Sequence, residues 1–289
     1  MANLRALVKR RKAVRNIRKI TKTMELIATA RFKKALDRAT EAEAYTKKIA
    51  ELASDLSQNA GEVSHPLLAV RPTVKKVLFL VCTSNRGLCG GYNGGVLREA
   101  MIKIRQLKAD GIPLELDISG RRGITFFKFQ GIPATNTYQH FEDKPAFEQV
   151  DELATRYIDM FVSGQVDEIY VCYQKFLTIS RQTPVVEKLL PLSSVGAKET
   201  TGPKADYEFL PNAGDILSEL VPVAFKVRLF KCFLDAAVSE QIARRVAMKA
   251  ATENAGDLIK DISRVYNRTR QANITKEISE LIAGSEALK

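Results

Sequence analysis

Residues 15–36 read RNIRKITKTMELIATARFKKAL, and how this stretch is packed decides the fold. It lies within residues 2–58, which contain neither proline nor glycine. Ile17, Ile20, Met24 and Ile27 step by three, four and three. Ile49, Leu52 and Leu56 continue with steps of three and four. This is heptad spacing, which predicts one seam of a coiled coil. Arg11, Arg15, Arg18 and Lys22 also step by four, three and four, so a basic stripe is expected to flank the apolar one. At about 1.5 Å per residue the helix would exceed 80 Å, more than a small domain is wide.

Outward from that helix, Gly61, Pro66 and Pro72 mark residues 59–73 as a linker. The chain then changes character. Residues 77–82, VLFLVC, are a continuous apolar run of strand length, followed by the glycine-rich stretch TSNRGLCGGYNGG at 83–95. Val96 to Lys108 reads as a helix, Leu114 to Ile118 as a strand, 121–130 and 145–163 as helices, and Ile169 to Tyr173 as a buried strand. Leu177 to Leu190 continues as a hairpin. Alternating strands and helices predict a central α/β domain of Rossmann-like type over 74–192. Residues 193–213 are polar and contain glycine and proline, as a loop does.

From 214 to 289 the pattern is helical again. Pro222 fits only near the start of that helix. Ala251, Ala255, Leu258, Ile262 and Val265 step by four, three, four and three, and Ile274, Ile278 and Leu281 carry a seam onward after a shift of phase. Neither terminal helix, 1–58 or 214–289, can bury a seam alone. The expected fold is therefore α/β, with a long antiparallel coiled coil of the two terminal helices and the α/β domain attached.

Charge is lopsided. Thirteen Lys and Arg against Glu25 and Asp37 make the first 38 residues +11, out of +12 for the whole chain. A basic helix of this kind suits nucleic acid, a targeting segment or an acidic protein partner. Stacking platforms for nucleic acid are sparse, since no aromatic residue precedes Phe32 and the chain has no Trp. A cleaved presequence would remove half of the seam, because the heptad pattern runs past residue 30. The chain contains no run of 18 or more apolar residues to span a bilayer.

Catalytic chemistry finds little footing. Cys82, Cys89, Cys172 and Cys232 have no short metal-ligand spacing, and only His65 and His140 could assist them. The glycine-rich stretch lacks both the Gly-Lys-Ser/Thr ending of a phosphate loop and the G-x-G-x-x-G order of a dinucleotide site. A tight strand-to-helix turn built on Gly87, Gly90 and Gly91 is expected instead. In the last helix Arg268, Gln271 and Thr275 step by three and four and form a polar stripe, with Arg244 upstream. By spacing alone such a stripe reads as a solvated face.

Three blocks together resemble one family. RNIRKITKTMELIATARFKKAL, TSNRGLCGGYNGGV and the long run from SEQIARRVAMKAATENAG to ELIAGSEAL resemble the N-terminal, central and C-terminal signatures of the gamma subunits of F-type ATP synthases, in the family's order. The resemblance implies a central rotor shaft with no catalytic residue, cofactor or metal of its own. The implied partners are the alpha, beta and epsilon subunits, the delta-containing complex and the membrane ring of c subunits. Acidic beta-subunit loops would then answer the basic stripe of Arg11, Arg15 and Arg18. Met24 and Arg244 match residues near the beta contact, and Gln271 and Thr275, beside Arg268, match polar residues that catch a beta loop. Tyr207, within residues 206–211 (DYEFLP), matches the foot that meets the ring, although this chain has Leu210 where the family pattern is acidic. The segment carrying cysteines in chloroplast members is missing. A bacterial type is implied, peripheral on the cytoplasmic face of the plasma (inner) membrane. The alternative is a basic coiled-coil nucleic-acid-binding protein.

Overall fold

The computed structural model describes residues 4–59, 65–141, 144–192 and 213–287. Five helices and five strands follow in the order α1 (Leu4–Asn59), β1 (Val77–Cys82), α2 (Tyr92–Ala109), β2 (Leu114–Ser119), α3 (Arg121–Phe129), β3 (Asn136–Tyr138), α4 (Phe147–Val162), β4 (Glu168–Thr178), β5 (Arg181–Leu190) and α5 (Ala213–Ala287). A 3-10 turn, Pro66–Leu68, precedes β1. The chain divides into two compact units. Unit 1 is Met1–Ala28 with Arg244–Lys289, and unit 2 is Thr29–Ala243. Helices α1 and α5 contribute to both.

Unit 2 is built on a five-stranded sheet in the order β3-β2-β1-β4-β5. β1 pairs in parallel with β2 and β4, β2 in parallel with β3, and β5 returns antiparallel to β4. All six residues of β1 are buried because both faces of a central parallel strand are covered. Leu78, Leu80 and Cys82 point to a core completed by Leu153, Tyr157 and Phe161 of α4 and by Val221, Phe225 and Phe233 of α5. Phe79 and Val81 point the other way, toward Val96, Ala100 and Ile104 of α2 and Phe127 of α3. That alternation is the period of two of a strand. Strand β3 escapes sequence reading because three residues between polar loops carry no alternation. The Leu177–Leu190 hairpin is present, with its first strand merged into the run from Glu168.

The end of β1 is held close to the end of β2. Gly120, with φ of 98°, sits where a Cβ would lie 2.0 Å from the Thr83 carbonyl oxygen, so only glycine fits that approach. The Thr83 hydroxyl donates to the Ser119 carbonyl and accepts from the Gly123 N–H.

Pro222 lies inside α5, in about its third turn at 3.6 residues per turn, and leaves the Ser218 carbonyl without its helical donor. His65 takes that place. Its Nδ1 accepts from the Leu67 N–H at 3.1 Å, which leaves Nε2–H to donate to the Ser218 backbone. Burial lowers the His65 pKa, opposed by that Ser218 bond, and the imidazole stays neutral. The segment 65–68, read from sequence as linker, is thus a cap on the break in α5.

One acid in unit 2 is poorly accommodated. Asp235 of α5 is 3% exposed, and its Oδ2 has no hydrogen-bond partner. Burial pushes its pKa up to about 6, with Lys231 and Lys175 pulling down and Glu43 and Glu187 pushing further up. Elsewhere acids are well held. Asp167 accepts from Arg71 at 2.6 Å and from the N–H groups of Lys75 and Lys76. Glu187 binds Arg228 at 2.7 Å and Tyr173 at 2.8 Å. Asp117, fully buried, accepts from Asn136, Tyr138, Tyr157 and Arg156.

The predicted seam requires correction. Ile17, Ile20, Met24 and Ile27 are not buried in it: they are 53%, 56%, 36% and 48% exposed. In unit 1 the buried residues of α1 are Val14, Thr21 and Ala28, spaced by seven, with Leu4, Leu7, Arg11 and Glu25 half-buried, while α5 supplies Met248, Thr252, Ala255, Ile259, Ile262 and Tyr266 in steps of four, three, four, three and four. Ala255 and Ile262 therefore sit in the seam as expected, and Ala251 is half-buried, but Leu258, Val265, Ile274, Ile278 and Leu281 are exposed. In unit 2 the helix pair continues with Phe32, Ala35 and Ala39 against Leu234, Val238 and Ile242. Ile49 is buried, whereas the side chains of Leu52 and Leu56 fall outside the described residues. Two heptad-compatible stripes coexist on α1, and the helix pair buries the one that runs through Val14, Thr21 and Ala28.

Candidate functional site

The surface of unit 1 follows from where its seam lies. At about 100° per residue, Ile17, Ile20, Met24 and Ile27 stand 60–100° to one side of Val14, Thr21 and Ala28. Arg11, Arg15, Arg18 and Lys22 stand 60–100° to the other side. The seam runs between the apolar and the basic stripe, which leaves Ile17, Ile20, Met24 and Ile27 exposed on one side and Arg15, Arg18 and Lys22 exposed on the other. Arg15 and Arg18 are exposed, and with Lys12, Lys19 and Lys22 they border a groove floored by Thr252 and Ile259 of α5. Arg11 is half-buried and lies over the ring of Tyr266, 5.1 Å from its centroid. The basic side is thus not uniform: Arg11 lies over Tyr266 and the Arg18 guanidinium reaches along α5 to Gly256, while Arg15 is exposed. Lys22 is partly neutralised by Glu25, at 3.1 Å.

Arg268, Gln271 and Thr275 are all exposed, on the side of α5 turned away from Ile262, Tyr266 and the rest of the seam. Arg244 is half-buried. Tyr207 and the DYEFLP stretch lie outside the described residues. Sequence reading missed Thr21, Thr252 and Tyr266 as seam residues. The spacing by sevens from Leu7 through Val14 and Thr21 to Ala28 was the available signal, weaker because two of its members are small or polar.

The glycine-rich turn after β1 is occupied by its own side chains. Asn93 Oδ1 accepts from the Ser84 N–H at 3.0 Å, Asn93 Nδ2 donates to Ser84 Oγ at 2.8 Å and reaches Cys89 Sγ at 3.2 Å, and Ser84 Oγ donates to the Arg86 carbonyl at 2.6 Å. Leu88 and Gly90 take positive φ, and Gly91 precedes the first residue of α2. This network ties the turn to the helix start. Cys82, Cys89, Cys172 and Cys232 are free thiols and buried, and burial raises the pKa of Cys82, Cys172 and Cys232, which keeps them protonated and unreactive.

Residues 3–288 match the ATP synthase family. The chain is 52% identical to the ATP synthase gamma chain of Rhodopirellula baltica, with all of both chains covered. The chain belongs to the ATP synthase gamma-chain family. A gamma chain of Leptospira biflexa is 39% identical, again over the full length of both. Among solved structures, a chain of the Euglena gracilis mitochondrial ATP synthase assembly containing OSCP, F1 and c-ring shares the fold, with a TM-score of 0.67, 16% identity, and coverage of 99% of this chain and 94% of that one. A second, from the rotor of the same enzyme, has a TM-score of 0.63 at 16% identity and covers 94% and 98%. Gamma chains are non-catalytic: this one is the central shaft of an ATP synthase rather than the site of its chemistry. No comparison supports a nucleic-acid-binding protein. No helix of this gamma chain, among the described residues, is long and apolar enough to cross a membrane.

Proposed function

We propose that unit 1 of this rotor shaft couples ion flow to ATP synthesis and hydrolysis through two exposed stripes that engage different chemistry on the surrounding subunits. The carrying observation is the division of α1: Val14, Thr21 and Ala28 turn into the seam, while Ile17, Ile20, Met24 and Ile27 on one side and Arg15, Arg18 and Lys19 on the other are exposed. Apolar contacts slide with little angular preference. Charged and hydrogen-bonding groups mark angle, because they weaken steeply when misaligned. The apolar stripe then serves as bearing, the basic stripe meets acidic loops of beta subunits, and Arg268, Gln271 and Thr275 serve as the angular catch. The partners are alpha, beta and epsilon subunits, the delta-containing complex and the c ring, with Tyr207 at the ring. The shaft is peripheral, on the cytoplasmic face of the plasma membrane.

The experiment is Gln271→Ala with Thr275→Ala in the assembled complex, with ATP hydrolysis, ion pumping and complex yield measured together. Each neutral hydrogen bond contributes only about 0.5–1.5 kcal/mol, so assembly survives and turnover falls. Full turnover overturns the catch. Lost assembly assigns that face a structural role. Arg15→Gln with Arg18→Gln tests the basic stripe: turnover becomes less sensitive to added salt, since exposed ion pairs are screened. Arg11 is excluded from this pair because its guanidinium already lies on Tyr266.

A further inference from the structure

The seam of unit 1 contains a hydrogen-bonded side-chain pair, Thr21 on α1 and Thr252 on α5. Thr21 is 9% exposed, and its hydroxyl stands 2.8 Å from that of Thr252 on the other helix. Each hydroxyl also has a carbonyl acceptor in its own helix: Arg18 for Thr21, at 3.1 Å, and Met248 for Thr252, at 2.8 Å. A hydroxyl has one proton. Two arrangements therefore satisfy the pair. Either Thr252 donates to Thr21 and Thr21 to the Arg18 carbonyl, or Thr21 donates to Thr252 and Thr252 to the Met248 carbonyl. Both complete a chain of two hydrogen bonds across the seam with no water.

The neighbourhood gives this bond its weight. Ala28, Ala255 and Gly256 lie close to it along the two helices, and alanine and glycine make shallow knobs that resist sliding or relative rotation poorly. Val14, Ile259 and Ile262 supply apolar packing on the far side of the threonines, where Leu7 also packs. The Arg18 side chain lies along α5, its Nε 3.7 Å from where a Cβ on Gly256 would stand. A displacement of α5 by one turn would set Thr21 opposite Met248 or Gly256 in place of Thr252. The hydroxyls would fall back on their own carbonyls, and the link between helices would be gone.

We propose that Thr21 and Thr252 are positioning residues: their cross-seam hydrogen bond pins the axial and angular register of the two helices, so that the pair in unit 1 turns as one body. A polar residue at a seam position is the established way for a coiled coil to fix register. The pin stands on the geometry alone. Its consequence for coupling rests on the rotor reading given above, because torque passes between helices that must not shear.

The test uses the assembled complex with spin labels at Lys19→Cys and Asp257→Cys, both exposed positions, and reads the distance distribution between them. Thr21→Val, Thr252→Val and the double variant keep size and branching and remove the bond. Each remaining hydroxyl keeps its own-helix carbonyl, so complex yield is expected to hold. One net hydrogen bond shifts an equilibrium by about tenfold, so the single narrow distance should broaden or gain a second population. Thr21→Ser retains the hydroxyl and should retain the narrow distance. Unchanged width in the double variant overturns the pin, and broadening in Thr21→Ser overturns it too, by assigning the effect to the methyl group. Ions pumped per ATP hydrolysed are measured on the same samples: a broadened distance with a fallen ratio supports both pin and rotor reading, and a broadened distance with an unchanged ratio supports the pin and removes its consequence for coupling.

Discussion

Units 1 and 2 place their large apolar side chains in opposite directions. In unit 2, Phe79, Leu80, Phe127 and Phe225 are fully buried, and the sheet is covered on both faces. In unit 1 the buried seam is Val14, Thr21, Ala28, Ala255 and Ile262, while Ile17, Ile20, Ile274 and Ile278 face out. Unit 2 carries its own stabilisation. Unit 1 is a helix pair that leaves much of its apolar surface exposed. Contiguous exposed apolar surface of that kind marks an interaction site.

The contrast can be broken most forcefully in unit 2. Phe79→Ala leaves a cavity between α2 and β1 and should cost about 3–5 kcal/mol, read as a large fall in the melting temperature of unit 2. A loss below about 1 kcal/mol would show that this core is not the stabilising body it is taken for.

Asp235→Asn should act in the opposite direction. With its pKa pushed up to about 6, the folded state holds this proton more tightly than the unfolded chain does. Stability is therefore highest below the unfolded carboxylate value near 4, falls as pH rises through 4–6, and is reduced by up to about 3 kcal/mol above that window. The variant should melt higher than the parent at pH 8, with the advantage shrinking as pH falls from 6 to 4. An equal difference at every pH would deny that ionisation is the cause.

Asp167→Asn comes next. Burial would raise its pKa, but the Arg71 hydrogen bond and the Lys75 and Lys76 N–H groups win and hold the carboxyl below the ordinary range. Its stabilisation is present above the unfolded pKa and lost as pH falls through the lower folded value. Removing the charge should cost about 1.5–3 kcal/mol at neutral pH and leave acid unfolding less steep, checked by denaturation at pH 7 and pH 3.

The smallest stability effect should come from the largest exposed side chains of unit 1. Ile17→Ala and Ile20→Ala should each change stability by no more than about 0.5 kcal/mol, as exposed substitutions do, while reducing assembly or turnover of the complex. A core-sized loss of stability in the free chain would return those residues to the seam and erase the contrast.

Most of the architecture was legible in residues 1–289 alone, and the reasons differ by element. Long proline-free helices with heptad spacing announce a helix pair, and VLFLVC between a linker and a glycine-rich turn announces a parallel core strand, because both signals are local and repeat. β3 was not legible, since three residues carry no period. His65 looked like linker because its role depends on the carbonyl that Pro222 frees more than 150 residues later in the chain. The seam itself was misread for a related reason. Residues 15–36 support two heptad-compatible stripes, and periodicity favours the one with larger side chains.

Sequence by itself determined that α1 and α5 would be long amphipathic helices flanking an α/β domain, and that Arg15, Arg18, Arg268, Gln271 and Thr275 would stand at stripe positions. Only the tertiary structure decided which stripe turned inward. The pair buried Val14, Thr21 and Ala28 of α1 against Thr252, Ala255 and Ile262 of α5, while Ile17 and Ile20 stayed out. That choice is a property of the pair, and neither helix carries it alone.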